Sequence, residues 1–200
     1  MKQDDYMRER LRQLIDAGVN EKDAAVTVNL GWAIRSLDFL LFPGNQAQVN
    51  LVVALAHDYR IAEYNSVNDQ YSVYSSHARD QFVKTCLLTP LESEYLDGRQ
   101  PPHPTMMEAI VGVSVHEVRH RLQFKQKDTL RLWDYRHRAD DLMNRILHRV
   151  HRQDSTVSAR EFDAQVIEML ALHRLHALES PRELAQIVLT QPGVPSILPI

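Results

Sequence analysis

The sequence predicts an α+β fold, a helix-rich single domain with a small sheet contributed by its N-terminal half. Three observations predict it. Apolar residues recur at helical spacing through most of the chain, closed at intervals by glycine, proline or a capping pair. Short, partly alternating apolar runs cluster between Val49 and Tyr74. A length of 200 residues suffices for one core and forces no second. The domain is expected to span 1–190, followed by a proline-bearing extended tail over 191–200.

Taken in order, Tyr6 to Ala17 carries Met7, Leu11, Leu14 and Ile15 on one side and stops at Gly18, a natural C-terminal residue. Trp32 to Phe42 reads as a second helix, closed by Pro43-Gly44. Val49–Leu55 and Tyr59–Tyr64 read as strands, with His57-Asp58 turning between them as a hairpin, and Tyr71–Tyr74 as a third strand. Ser76–Leu88 has helical spacing, and Thr89-Pro90-Leu91-Glu92 carries a capping pair. Pro101-Pro102-His103-Pro104 is a stiff lead-in to Thr105-Met106-Met107-Glu108, whose Thr-x-x-Glu pattern starts a helix running to about Lys125. Asp134–Arg152 predicts a further helix. Ser158-x-x-Glu161 opens another, to about Leu178, and Ser180-Pro181-Arg182-Glu183 opens a last short one.

Composition narrows the function classes. A formal net charge of −3 gives no electrostatic case for nucleic acid or a membrane surface. The arginine-rich stretch from Arg119 to Arg152 is interleaved with acids and reads as a solvated helical face. No apolar run is expected to reach the ~20 residues of a membrane span. A lone cysteine, Cys86, excludes an intrachain disulfide framework and suits a reducing compartment. Its apolar neighbours make it a structural thiol. The expected location is cytoplasmic, and the oligomeric state is not written in the sequence.

The chemistry concentrates in Val113-Ser114-Val115-His116-Glu117-Val118-Arg119-His120-Arg121-Leu122. On a helix, positions four apart stand one turn above each other, so His116 and His120 can reach one ion. Glu117 points to the side of that pair, where a carboxylate can take a proton from water without being a ligand. Two neutral imidazoles for Zn²⁺ and one general base make H-E-x-x-H a unit. Ten histidines raise the odds that the pattern is an accident of composition. Against this, the helix is capped and apolar nearly all round, which predicts burial, and a buried glutamate with two imidazoles needs partners. Gly112, one turn before His116, lowers helix propensity and predicts that something packs closely there.

Through His116-Glu117-Val118-Arg119-His120 the chain resembles the zincin metallopeptidases. The metzincin branch would require glycine and histidine where this chain has Gln123 and Gln126. The gluzincin branch uses a glutamate on a later helix, and Glu161-Phe162-Asp163-Ala164-Gln165 is similar to its Glu-x-x-Ala-Asp pattern over four of five positions. The resemblance implies a zincin-like domain in which His116, His120 and Glu161 hold Zn²⁺ and Glu117 acts as general base. A protein or peptide would then be the substrate, held along an edge of the preceding sheet. Small Ala164 would let the later helix approach closely. Gln165 replaces the acid that would accept a hydrogen bond from a ligand histidine, which predicts weakened affinity or activity. His148 and His151 together, or Asp163, are the alternatives to Glu161. Tyr135, His148 and His151 are the candidates for stabilising the oxyanion. A second reading keeps zinc without catalysis, as a regulatory or interaction module on the same fold.

Overall fold

The structure, a computed structural model, describes residues 3–54, 60–75, 105–125 and 159–190. The expected elements at Ser76–Leu88, Thr89–Glu92, Pro101–Pro104 and Asp134–Arg152, the turn at His57-Asp58, Cys86, and the 191–200 tail lie outside them. The described chain is α+β. Helices α1 (Gln3–Asp16) and α2 (Glu21–Leu41) precede strands β1 (Gln48–Val52), β2 (Ala62–Asn65) and β3 (Gln70–Tyr74). Helices α3 (Met106–Lys125), α4 (Ala159–Arg174) and α5 (Pro181–Leu189) follow, with a 3-10 turn, Leu175–Ala177, between the last two.

Local signals set most boundaries. Gly18 ends α1 at φ +90°, a conformation that suits a residue without Cβ. Thr105 and Glu108 form a reciprocal capping box on α3: the Thr105 N–H donates to Glu108 Oε2 (2.5 Å) and the Glu108 N–H to Thr105 Oγ1 (3.2 Å). Hydrogen bonding by Thr105, from its backbone first and then its side chain, holds the Glu108 carboxyl below its ordinary value. Pro181 occupies the first turn of α5.

Two expectations are corrected. Helix α2 begins at Glu21, well before Trp32, because the Asn20 side chain accepts from the Asp23 N–H at 3.0 Å and caps it there. Its early turns hold β-branched Val26, Thr27 and Val28 and then Gly31, which blur the helical signal. Gly31 has a packing reason: a Cβ there would lie 2.7 Å from Leu51 Cδ2 of β1. The 21-residue α2 is also long and apolar enough, by length and composition, to cross a membrane, although no apolar run of that length is expected from the sequence. Here it packs on α3, β1, β3 and α5 and carries the fully buried Asp38.

The second correction concerns the sheet. Its order is β1-β3-β2, so the two runs expected to form a hairpin are not neighbours. β1 pairs with β3 in parallel, and the hairpin joins β2 to β3. Turn chemistry explains the difference. Asn65 Oδ1 accepts from the Val67 N–H at 2.9 Å, and Asp69 closes the turn at φ 51°. The turn Asn65-Ser66-Val67-Asn68-Asp69 is therefore the loop of the hairpin.

The core lies between the sheet and the helices, around Leu30, Ile34, Tyr71, Val73, Val115, Val118 and Ile167. Helix α3 runs through it and is buried on most of its circumference, as its all-round apolarity predicts. Two fully buried arginines fix its rotation. Arg121 reaches Asp38 of α2 (2.7 Å), the Asn45 carbonyl (2.7 Å) and, through two nitrogens, Asp69 (2.8 and 3.0 Å). Asp38 also accepts from Tyr71 Oη (2.8 Å) and the Ala47 N–H (3.0 Å). These contacts hold the Asp69 carboxyl far below its ordinary value, the Arg121 hydrogen bond foremost. Burial first, then Asp69 beside it, pushes Tyr64 up to about 12. Arg119 points the other way, gripping Asp163 of α4 with two bonds (2.6 and 2.9 Å) and the Val188 carbonyl of α5 (2.5 Å).

Candidate metal centre

Between these two anchors, α3 presents His116 and His120 one turn apart. Both are half-buried, and Glu117 beside them is buried at 7 % exposure. The rings stand edge to face, their centroids 4.7 Å apart, and the Nε2 atoms approach to 3.1 Å. The two nitrogens converge as the H-E-x-x-H spacing predicts.

The other nitrogen of each ring has a partner that accepts only. His116 Nδ1 lies 3.0 Å from Glu168 Oε2 of α4, a carboxylate at 6 % exposure. His120 Nδ1 lies 3.0 Å from Gln123 Oε1. The orientation of that amide is set by its nitrogen, which donates to Asp163 Oδ2 (2.7 Å) and to the Arg160 carbonyl (2.8 Å). These acceptors favour hydrogen on Nδ1 of each ring, and a neutral ring of that tautomer has a lone pair on Nε2. Two lone pairs facing at 3.1 Å repel. A proton carried on one Nε2 makes this contact a hydrogen bond, and a metal ion bound to both nitrogens would join them likewise. A zinc ion about 2 Å from each nitrogen at the tetrahedral angle spans nitrogens about 3.3 Å apart, close to this separation. The donor set fits the ion: soft-to-borderline imidazole nitrogens, each with its far nitrogen held in the manner usual for metal-ligating histidines.

Glu168 had a signal in the sequence that pointed to its place without naming it. The close packing predicted at Gly112 is Glu168 itself: a Cβ on Gly112 would lie 3.0 Å from Glu168 Oε1 and 3.4 Å from Leu172 Cδ1. Ala164 and Ala171, both fully buried, line the same helix where it meets α3. The acceptors that face the two histidines are Glu168, one turn beyond Gln165 along that face, and Gln123 on α3 itself. Gln165 Oε1 is buried and, among the described residues, accepts from no donor.

Glu161 stands in the first turn of α4, on the stripe that continues to Gln165 and Glu168, and its side chain is not among those described. Asp163 is not available as a metal ligand, because Arg119 and Gln123 occupy its oxygens and bury it. His148, His151 and Tyr135 lie outside the described residues. Among the described residues, no group of three or more His, Cys, Asp or Glu side chains is gathered around one point. Compared with protein-family models, with curated proteins and with solved structures, the chain matches none.

Proposed function

We propose that the chain is a zinc-dependent peptidase of zincin-like type. One observation carries the reading: His116 and His120 converge through Nε2 while acceptor oxygens hold both Nδ1 atoms, which pre-forms two ligands of a cation site. His116, His120 and Glu161 would hold Zn²⁺. When bound, the ion lowers the pKa of a water molecule and polarises a carbonyl oxygen.

The chain's own residues supply the rest. The buried Glu117 carboxylate takes a proton from water as the water oxygen attacks the peptide carbonyl carbon. It returns that proton to the nitrogen as the C–N bond breaks, leaving a carboxylic acid, which keeps the second water proton, and an amine. A carboxylate screened from solvent keeps this proton close, and the Arg119 and Arg121 anchors hold the turn that carries it.

The test is elemental analysis of the purified protein beside a His116→Ala/His120→Ala variant, followed by hydrolysis assays on Glu117→Gln. Near-stoichiometric zinc in the parent, lost in the double variant, is the expected result. Glu117→Gln is expected to retain zinc and to lose about 100-fold or more in hydrolytic rate, the usual worth of a general base. Full hydrolysis in that variant would sink the mechanism. Bound zinc without hydrolysis in the parent would leave the non-catalytic zinc module as the function.

A further inference from the structure

The two histidines are held by partners of different kinds. Glu168 is a carboxylate and has no donor to offer when ionised. Gln123 is an amide, which can present either a carbonyl oxygen or an NH₂ group to a neighbouring ring. Which end faces His120 decides where that ring keeps its hydrogen. An oxygen facing Nδ1 requires Nδ1–H and leaves a lone pair on Nε2. An NH₂ facing Nδ1 requires a bare Nδ1 and moves the hydrogen to Nε2, where it occupies the position a metal would take.

We infer that Gln123 is a positioning residue for His120, its amide locked by Asp163 and the Arg160 carbonyl so that it accepts from the ring and commits Nε2 to electron-pair donation. The lock is specific. Asp163 Oδ2 and the Arg160 oxygen are both acceptors, and both face Gln123 Nε2, at 2.7 and 2.8 Å. Turning the amide over would set two oxygens against its own. Gln123 is fully buried, so water offers no substitute partner. Asp163 is itself held by Arg119, which spans to the Val188 carbonyl, so the orientation is fixed where α3, α4 and α5 meet. The metal consequence rests on the proposed zinc site; the tautomer of His120 does not.

Two measurements test the inference separately. Long-range ¹H–¹⁵N spectra of the metal-free protein, at a pH where the imidazoles are neutral, read the tautomer directly. His120 is expected as Nδ1–H in the parent and as a mixture in Gln123→Met, a variant of similar shape that has no amide. An Nε2–H ring in the parent, or an unchanged tautomer in the variant, overturns the inference whether or not the protein binds metal. Zn²⁺ affinity, titrated against a competing chelator, gives the second reading. Gln123→Met is expected to weaken it ~10- to 100-fold, the range found for partners of ligating histidines. Asp163→Asn, which leaves only the Arg160 anchor, should weaken it less. The Gln123→Met/Asp163→Asn pair should bind no more weakly than Gln123→Met alone, since Asp163 acts through the amide. Additive losses, or parent-like affinity in Gln123→Met, overturn the relay. Leu14→Ala, a truncation in the separate cluster between α1 and α2, controls for general destabilisation and should leave affinity unchanged. No Zn²⁺ binding by the parent refutes the proposed function, and the tautomer measurement still decides the role of Gln123.

Discussion

The two flanks of α3 treat buried charge in opposite ways. On the Arg121 side, two aspartates meet Arg121 and Lys125, and tyrosine hydroxyls and backbone groups take up further hydrogen-bonding positions. That flank is electrically closed and mates the helix to α2 and to the hairpin turn. On the histidine side, Arg119 answers Asp163, while Glu168 meets an imidazole whose far nitrogen faces another imidazole nitrogen. A closed network of ion pairs serves the fold, whereas two imidazole nitrogens facing each other are a pair of groups able to bind a proton or a cation.

The comparison can be broken by exchanging the consequences. The largest expected effect is on the closed flank. Arg121→Met strands Asp38 and part of Asp69 without their guanidinium, and breaking a buried pair from one side costs about 3–5 kcal/mol. The denaturation midpoint should fall accordingly, while the folded fraction keeps the parent's affinity for Zn²⁺. A loss of metal affinity without a loss of stability would reverse the assignment of the two flanks.

Glu168→Gln makes the opposite test. Its amide oxygen can still accept from His116 Nδ1, so the midpoint should move by less than about 1 kcal/mol, one net hydrogen bond. Zn²⁺ binding should weaken about 10-fold, because the charge behind the imidazole is gone. A large destabilisation with unchanged affinity would make Glu168 a fold residue like Asp38.

The smallest effect sharpens the closed flank. The Asp69 carboxyl titrates well below its unfolded value of about 3.9, chiefly because Arg121 bonds the charged form. Its stabilisation is therefore complete above about pH 4 and is lost as pH falls through the lowered folded value. Asp69→Asn should flatten the acid limb of a stability-against-pH curve below that point. An unaltered limb would show that the acid sensitivity arises elsewhere.

The legible parts of this molecule share a property: their signals are local. The Thr105–Glu108 box, the Gly18 stop and the His116/Glu117/His120 spacing each depend on residues within one or two turns. What the sequence concealed depends on partners far apart in the chain. β1 pairs with β3, about twenty positions away, and not with the next strand along the chain. The service of Glu168 to His116 spans 52 positions. The sequence predicts a solvated face for Arg119 and Arg121, yet both are at 0 % exposure, because their acceptors come from three other helices and two loops. Charge composition cannot distinguish a solvated arginine from one whose partners arrive only on folding.

The close contact at Gly112 also sets the unit in which this helix could be transplanted. A designer moving the histidine turn to a new scaffold would have to carry a bare backbone hydrogen one turn earlier. A glutamate on a crossing helix, near enough to touch that position, would have to come with it. The smallest portable piece is therefore a pair of crossed helices, and the five-residue pattern transplanted alone would leave His116 unsupported.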